Sequence, residues 1–578
     1  MNLETLRHSV SHIMAQAVKE LYPDVKLGIG PAISDGFYYD FEKSTPFTPD
    51  DLLRIEKKMR EIVKANIPFI EDIFPREEAI KIFEELNEPY KVELLQEMDN
   101  CNATIYRQGE FTDLCRGPHL RQTGEAGKHF KLLDIAGAYW RGDERRPMLQ
   151  RIYGTAFLEE AELQHYLEMQ EEAKKRDHRK LGVELDLFNV GGEIGGGLVL
   201  WHPKGAVIRG VIEDFWRNEH TKRGYQLIYT PHIANASLWK KSGHLNYYHD
   251  LMYPLINVDN EGYLLKPMNC PLHIQIYKSY QRSYRDLPIR YGELGTVYRY
   301  ERSGVLHGLL RTRGFTQDDA HIFCTPEQVS DEISGVIELV KFMMKSFGYK
   351  DLKVDLSIRD PLHKEKYMGG EEKWHQAEEA LLTAIKGSGF DYKKEEGGAV
   401  FYGPKIDIHL ADAIGRWWQG PTIQFDFNLP SQMDVTYIGA DGKAHDVIMI
   451  HRTVLGAIER FIAGLIEYHK GALPIWLAPI QVIVFTISEK QESYATGVLA
   501  ALLNAGLRAE LGREDGTINA KIRQAEIKKV PYMLIIGNKE VSEETVSVRE
   551  RKTHKNMVMK IEEFVARAKE KIRNKEVS

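Results

Sequence analysis

The chain has 578 residues, 43% of them hydrophobic, 28% charged and 10% aromatic, with 47 Gly and 23 Pro. That length points to three or four domains rather than one small binding module, and the composition excludes a disordered, collagenous or low-complexity chain. The 77 Lys and Arg against 84 Asp and Glu leave −7, which argues against a protein that coats nucleic acid non-specifically but not against a local basic face.

No stretch approaches the roughly 18 apolar residues of a membrane span, and Met1-Asn2-Leu3-Glu4 leads into a polar segment without a signal-peptide core, so the expectation is a cytoplasmic protein. Four cysteines are too few for a disulfide framework. Cys115 and Cys270 sit in polar contexts beside glycine or proline, whereas Cys101 and Cys324 read as small residues near a surface turn and on a strand.

In chain order, residues 1–158 mix helix and strand patterns: Leu6 to Leu21 has helical spacing, and Phe37-Tyr38-Tyr39 lies in a strand-like run after Gly28-Ile29-Gly30-Pro31. Glu159 to Lys180 predicts an exposed connecting helix whose basic stretch, Lys174-Lys175-Arg176, is either a solvated face or a contact for a phosphate backbone. The glycine-rich run Gly191 to Gly197 predicts a mobile loop, because neither a P-loop nor a dinucleotide fingerprint fits it. A helix from Gly205 to Arg223 follows, then a long series of alternating strands, then a helix from Thr453 to Tyr468. So large an antiparallel block points to an enzyme core. Beyond Pro474, strands at Gln481–Thr486, Arg508–Leu511 and Pro531–Gly537 alternate with helices at Tyr494–Ala505 and Ala520–Lys529, a compact α/β unit. It carries 18 Lys and Arg against 14 Asp and Glu, an excess of four that leaves −11 elsewhere.

His8 and His12 stand four apart in a helical pattern, so both imidazoles project from one face. Cys115 and His119 repeat the spacing across Gly117-Pro118, which predicts a turn. The four offer the donors of a structural zinc site, or they are two unrelated surface pairs. In the middle block, Thr296-Val-Tyr-Arg299-Tyr-Glu301 precedes a turn-rich stretch through Arg311, then Phe315-Thr-Gln317-Asp-Asp319-Ala-His321. Residues two apart on a strand share a face, so Arg299 looks the same way as Glu301, and Phe315, Gln317, Asp319 and His321 form a row; Thr422, Gln424 and Asp426 form another. Two polar-faced strands predict the floor of a cleft for a charged ligand.

The ordered set resembles a known family. Arg299 to His321 is similar to motif 2 of class II aminoacyl-tRNA synthetases, Tyr229-Thr230-Pro231 to motif 1, and Gly456-Ala-Ile-Glu-Arg460-Phe to motif 3. Lys266-Pro-Met268-Asn-Cys270-Pro, Arg313-Gly-Phe-Thr-Gln-Asp-Asp-Ala-His-Ile-Phe, and the pairing of His8/His12 with Cys115/His119 resemble the bacterial threonyl-tRNA synthetases, nearly end to end. The resemblance implies an α/β and α+β multidomain protein: an α+β editing domain at 1–158, a linker helix at 159–185, a class II catalytic domain with an antiparallel sheet and flanking helices at 186–473, and an α/β anticodon-binding domain at 474–578. It implies ATP-dependent ligation of L-threonine to threonine tRNA through threonyl-adenylate, with hydrolytic editing of mischarged Ser-tRNA.

The same resemblance assigns residues. One catalytic Zn2+ per subunit falls to Cys270, His321 and His451, and Mg2+ accompanies ATP. ATP falls to Arg299 at the α-phosphate, Arg460 near the γ-phosphate, Arg311 assisting, Glu301 and Gln419 at adenine or ribose, and Phe315 stacked on adenine. Threonine falls to Met268, Asp319, Tyr402, Lys405 and Gln424, and the proton of the tRNA ribose hydroxyl to His244, a histidine suited to titrating near neutrality. Editing falls to His8, His12, Cys115 and His119, read as working through water rather than metal, with Lys91, Asp113, Gly30 and Tyr39 in the pocket. Glu540 and Arg549 fall where anticodon bases are read. A homodimer built around motif 1 is implied too.

Two departures stand out. Met1 stands seven residues before His8, where bacterial relatives usually carry a small ubiquitin-like domain, so the expectation is that this domain is absent; and Trp418-Gln-Gly-Pro421 replaces a more common Gln-Cys-Gly. Two other readings remain: a prolyl enzyme of the same subclass, against which Cys270, His321 and His451 speak, and a catalytically silent synthetase paralogue acting as an RNA-binding regulator, against which Arg299, Glu301 and Arg460 speak.

Overall fold

The computed structural model describes residues 2–577 other than 144, 413, 514, 552, 554 and 555. The chain forms two compact units, Met1–Glu171 and Glu172–Ser578.

In the first unit, helix α1 (Leu3–Leu21) begins where the Asn2 side chain accepts from the Glu4 amide. Most of its residues from Leu6 to Val18 are buried, because it lies between helix α2 (Pro49–Ala65) and an antiparallel sheet containing strand β1 (Gly36–Glu42). Helix α3 (Pro89–Gln96) carries Lys91. Strand β2 (Phe111–Leu114) closes a separate three-stranded antiparallel sheet and leads into the turn of Gly117-Pro118. His8, His12, Cys115 and His119 therefore come from one face of α1 and from the chain leaving β2.

The connecting segment is two helices, Glu160–Arg176 and His178–Glu184, rather than one. Asp177 breaks the run and caps the second helix by accepting from the Arg179 amide. Arg176 is not left for a phosphate backbone: it donates to the carbonyl of Tyr468 at 3.1 Å and to Glu172 at 3.0 Å. The glycine run is also more structured than a mobile loop. It joins the paired strands Phe188–Val190 and Val199–Trp201, and the Gly197 carbonyl accepts from the Arg313 amide at 2.7 Å.

The second unit is built on an eight-stranded sheet whose order is Gln226–Leu227, β3 (Ile289–Tyr298), β4 (Gly314–Cys324), Ile448–Ala457, Trp417–Asp426, Lys405–Ala411, Leu352–Ile358 and Tyr392–Glu396. Only the two edge strands pair parallel. In chain order the central strands after β4 are β5 (Lys405–Ala411), β6 (Trp417–Asp426) and β7 (Ile448–Ala457). Two long helices, α4 (Val329–Phe347) and α5 (Glu371–Ser388), interrupt the strand series expected from alternation. In α4, Ile333, Val336, Ile337, Val340, Met343, Met344 and Phe347 recur at helical spacing, and that apolar face is buried in the core; Gly348 ends the helix at φ 94°. The helix expected from Thr453 begins later, as α6 (Ile458–Tyr468), because Thr453 to Ala457 completes β7. Near the end of β7, Gly456 adopts φ 79°, a conformation that favours glycine.

A five-stranded sheet closes the chain: Ala509–Leu511, Val482–Thr486, Tyr532–Ile536, β8 (Val546–Glu550) and Asn556–Met559, the first two pairings parallel and the last two antiparallel. Its approach segment is held by arginines. Arg551 donates to the carbonyls of Ala472 and Leu473 at 2.9 and 3.0 Å, and Arg508 to those of Trp476 and Ala478 at 2.9 Å each. Among the described residues no helix is long and apolar enough to cross a membrane.

Candidate active sites

A cavity of about 510 Å³ opens over the large sheet. Phe315, Gln317, Asp319 and His321 of β4, with Thr422 and Gln424 of β6, line its floor, as the alternation predicts. Arg299 and Glu301 line it too, but not as strand neighbours: β3 ends at Tyr298 and both lie in the turn beyond it. Arg311 and Arg460 complete the rim. Arg299 sits 5.2 Å over the Phe315 ring, Arg311 pairs with Glu301 at 2.9 Å, and Arg460 donates to the Leu310 carbonyl at 3.1 Å. Arg460 opens into the cavity but is otherwise ringed by protein. That burial, with Arg311 and Arg299 beside it, lowers its pKa from the ordinary arginine value. Three guanidiniums on one cavity, of which Arg311 alone is ion-paired to Glu301 among the described residues, make a place for a polyanion.

The rim loop is held from below. The Leu309 amide donates to His178 Nε2 at 3.0 Å, and His178 Nδ1 lies 2.8 Å from Glu467, so the buried imidazole is fixed as the Nδ1–H tautomer. Gly308, at φ 51°, has no room for a side chain: a Cβ would come within 2.2 Å of His178 Nε2.

Sheet register explains what spacing could not. His321 of β4 lies directly opposite His451 of β7, and Gln424 of β6 lies opposite His451 on the other side. Cys270 opens a helix, Cys270–Tyr277, and all three side chains are buried with their donor atoms within 4.8 Å of one another. His451 Nε2 lies 3.0 Å from Asp426, and His321 Nδ1 lies 2.7 Å from His273 Nδ1. The other nitrogens, His321 Nε2 and His451 Nδ1, face each other at 3.0 Å. With Asp426 taking the proton of one ring and His273 that of the other, two lone pairs and a thiol converge, a donor set that fits zinc.

Asp319 accepts from Asn269 at 3.0 Å, and the Tyr402 hydroxyl donates to Gln424 at 2.5 Å. Met268, Tyr402 and Gln419 line the cavity; Gln419 donates to Asp407 at 2.6 Å. Lys405 is not among the lining residues, and its ammonium sits 2.6 Å from Asp407. His244 lines a smaller adjoining cavity with Met268, Cys270, Tyr402 and His451. Burial, and next His451, push its pKa down to about 4, so it is neutral at pH 7 and does not titrate near neutrality. Asp318, Glu459 and His273 went unnoticed in the sequence. Asp318 accepts from the amides of Val454 and Gly456 and fixes the end of β7; Glu459 accepts from Thr316 and pairs with Arg209. Only His273 carried a signal, the three-residue spacing from Cys270.

The second cluster joins the His8/His12 pair to the Cys115/His119 pair. Cys115 Sγ lies 3.2 Å from His8 Nε2 and from His119 Nε2, and Ser9 Oγ lies 3.2 Å from His119 Nδ1. Beneath them Asp113 is buried against Lys91 at 2.6 Å, the Tyr39 hydroxyl at 2.5 Å and His12 at 3.3 Å. Gly30 admits no side chain, because a Cβ would meet the Tyr39 ring at 2.0 Å, and its carbonyl accepts from Ser11. Burial lowers the pKa values of His8, His12 and His119 and pushes the Cys115 thiol up to about 11. At neutral pH this is a set of neutral imidazoles around a thiol, able to hydrogen-bond and position water but lacking a thiolate nucleophile.

In the C-terminal sheet, Glu540 accepts from the Gly537 amide at 2.9 Å and caps the short helix Asn538–Glu543, while Arg549 on β8 lies 3.3 Å from Glu526.

Three family models match in chain order: the threonyl and alanyl tRNA synthetase second additional domain at residues 103–153, the tRNA synthetase class II core domain (G, H, P, S and T) at 253–469, and an anticodon binding domain at 481–571. The largely antiparallel sheet with its arginine-rimmed cavity is that of a class II aminoacyl-tRNA synthetase. The chain is 53% identical to a threonine–tRNA ligase of Sulfurihydrogenibium sp., over all of this chain and 90% of the relative, and 50% identical to one of Aquifex aeolicus over the same shares. A solved threonyl-tRNA synthetase RNA binding domain from Cryptosporidium parvum is similar with a TM-score of 0.65 at 38% identity, covering 68% of this chain and 98% of that one. The chain belongs to the threonine–tRNA ligase family.

Proposed function

We propose a division of labour along the chain: an editing domain at 1–158, a linker at 159–185, a class II catalytic domain at 186–473 and an anticodon-binding domain at 474–578. The protein ligates L-threonine to threonine tRNA at the expense of ATP, with Mg2+, and hydrolyses mischarged Ser-tRNA. The observation that carries the catalytic reading is the convergence of Arg299, Arg311 and Arg460 on one cavity, where Glu301 pairs with Arg311.

In the first step a threonine carboxylate oxygen attacks the α-phosphate, the anhydride forms, and pyrophosphate leaves. The reaction's charge stays on phosphate oxygens, so fixed cations are the main requirement. Arg299 serves the α-phosphate and Arg460 the γ-phosphate, with Arg311 assisting; Phe315 stacks on adenine, and Glu301 and Gln419 contact adenine or ribose. Met268, Asp319, Tyr402 and Gln424 surround the amino acid, Lys405 acting from behind through Asp407. Cys270, His321 and His451 would hold zinc, which would supply a Lewis acid able to select an amino acid bearing a hydroxyl over valine. In the second step the tRNA ribose hydroxyl attacks the carbonyl and AMP leaves, the proton passing to neutral His244.

Serine keeps the hydroxyl and lacks only a methyl, worth about 1–3 kcal/mol, so discrimination in one pocket is insufficient and a second site is needed. There His8, His12 and His119, with Cys115, orient the water that attacks the ester carbonyl, releasing serine and tRNA, while Lys91, Asp113, Tyr39 and Gly30 shape the pocket. Glu540 and Arg549 read the anticodon. The working form is a cytoplasmic homodimer around the segment Tyr229-Thr230-Pro231, where Tyr229 is 77% exposed in the single chain.

Threonine-dependent exchange of pyrophosphate into ATP tests the first site. The second is tested by His8→Ala combined with Cys115→Ala, which is expected to leave Thr-tRNA formation intact and let Ser-tRNA accumulate. Unchanged serine release would remove the editing assignment.

A further inference from the structure

We propose that His273 and Glu293 are positioning residues that set the tautomer of His321 and so prepare the Cys270–His321–His451 centre for its metal; this rests on the zinc reading above. His273 is fully buried, one helical turn after Cys270. Its two nitrogens are both engaged, Nδ1 at 2.7 Å from His321 Nδ1 and Nε2 at 3.0 Å from Glu293 Oε2. Glu293, on β3, accepts from the Thr230 amide at 2.6 Å and from its hydroxyl at 2.9 Å, and lies 3.8 Å from Lys266 Nζ.

The direction of each bond follows. Surrounded by donors, the Glu293 carboxylate accepts, so His273 Nε2 carries the hydrogen. Its Nδ1 is then a lone pair, and the His321 Nδ1 facing it must be the donor. That leaves His321 Nε2 bare and turned toward His451 Nδ1. Without the relay, His321 is free to carry its hydrogen on Nε2, where it would occupy the position a cation needs. A packing role would ask only for shape; here both polar ends bridge a metal ligand to a carboxylate. Because Thr230 anchors Glu293, the relay also ties the centre to the segment proposed above as the dimer interface.

The test is zinc affinity of the full chain, by competition with a chromophoric chelator, together with the visible spectrum of the Co2+-loaded protein. Cys270→Ser is expected to lose zinc. His273→Phe is expected to bind zinc about 10–100-fold more weakly, with an altered cobalt spectrum and a raised KM for threonine but not for ATP. His273→Gln, which offers an acceptor to His321 and a donor to Glu293, should recover most of the affinity and the spectrum. Glu293→Gln should weaken zinc in the same direction, and it carries the test where circular dichroism reports the Phe variant unfolded. If Cys270→Ser loses zinc while the Phe and Glu293→Gln variants keep wild-type affinity and spectrum, the relay is wrong. If Cys270→Ser retains zinc, the zinc reading itself falls and the relay with it.

Discussion

Arg460 illustrates how a single residue is made useful by being slightly uncomfortable. Its guanidinium donates to the Leu310 carbonyl, and Arg311 and Arg299 oppose its charge more than Glu301 supports it. If Arg460 meets the phosphate chain as proposed, the bound phosphates relieve that repulsion, most of all in the transition state. Arg460→Ala should therefore lower threonine-dependent pyrophosphate exchange about 10²–10³-fold while the protein unfolds at an unchanged temperature. A loss of less than tenfold would assign the γ-phosphate contact elsewhere. The buried Lys91–Asp113 pair is the opposite case, a charge already matched and further satisfied by Tyr39, and its value lies in holding the floor of the histidine cluster.

At the scale of elements, strand register decides which residues meet. The polar rows on β4 and β6 were legible from alternation alone, since a period of two survives in any sheet. The Cys270, His321 and His451 set was not, because the two histidines are brought together by the pairing of β4 with β7 and Cys270 arrives from a separate helix, and such tertiary meetings leave no mark in spacing. Arg299 and Glu301 read as strand neighbours only because a turn of the same length also spaces residues by two. The helical period of α4 was present but sits in a run already rich in strand signals. His178 shows an element acting at a distance: it lies outside the cavity yet holds its rim through Leu309. His178→Ala leaves that buried amide without a partner, a cost of about 1–3 kcal/mol, and Gly308→Ala pushes the loop off the imidazole. Both are expected to raise the KM for ATP several-fold with little change in that for threonine, measured by exchange kinetics. Equal changes in both would mean general damage.

For the whole molecule, buried histidines govern the response to acid. Burial depresses His12, His119 and His220 in the folded chain, whereas the unfolded chain takes up protons near pH 6.5. Below that value the unfolded state binds more protons, so stability is fully present above pH 6.5 and declines as pH falls, by up to about 1.4 kcal/mol per pH unit for each histidine. Denaturant midpoints measured between pH 7.5 and 5 should fall steadily, and a flat profile would show that these histidines protonate in the folded protein.

The carbonyls of Ala472, Leu473, Trp476 and Ala478 are all taken up by Arg551 or Arg508. Two of these bonds, from Arg551 to Ala472 and Leu473, cross into the preceding domain and would be given up together if the joint swung, while Arg508 stiffens the segment beyond it. If the C-terminal sheet reads the anticodon as proposed, it serves as the fixed jaw of a caliper whose other jaw is the arginine-rimmed cavity. A tRNA is gauged by its span as well as by its bases: one extra base pair in the acceptor arm should reduce charging even with the anticodon intact, and Arg508→Ala with Arg551→Ala should restore tolerance by letting the jaw slide.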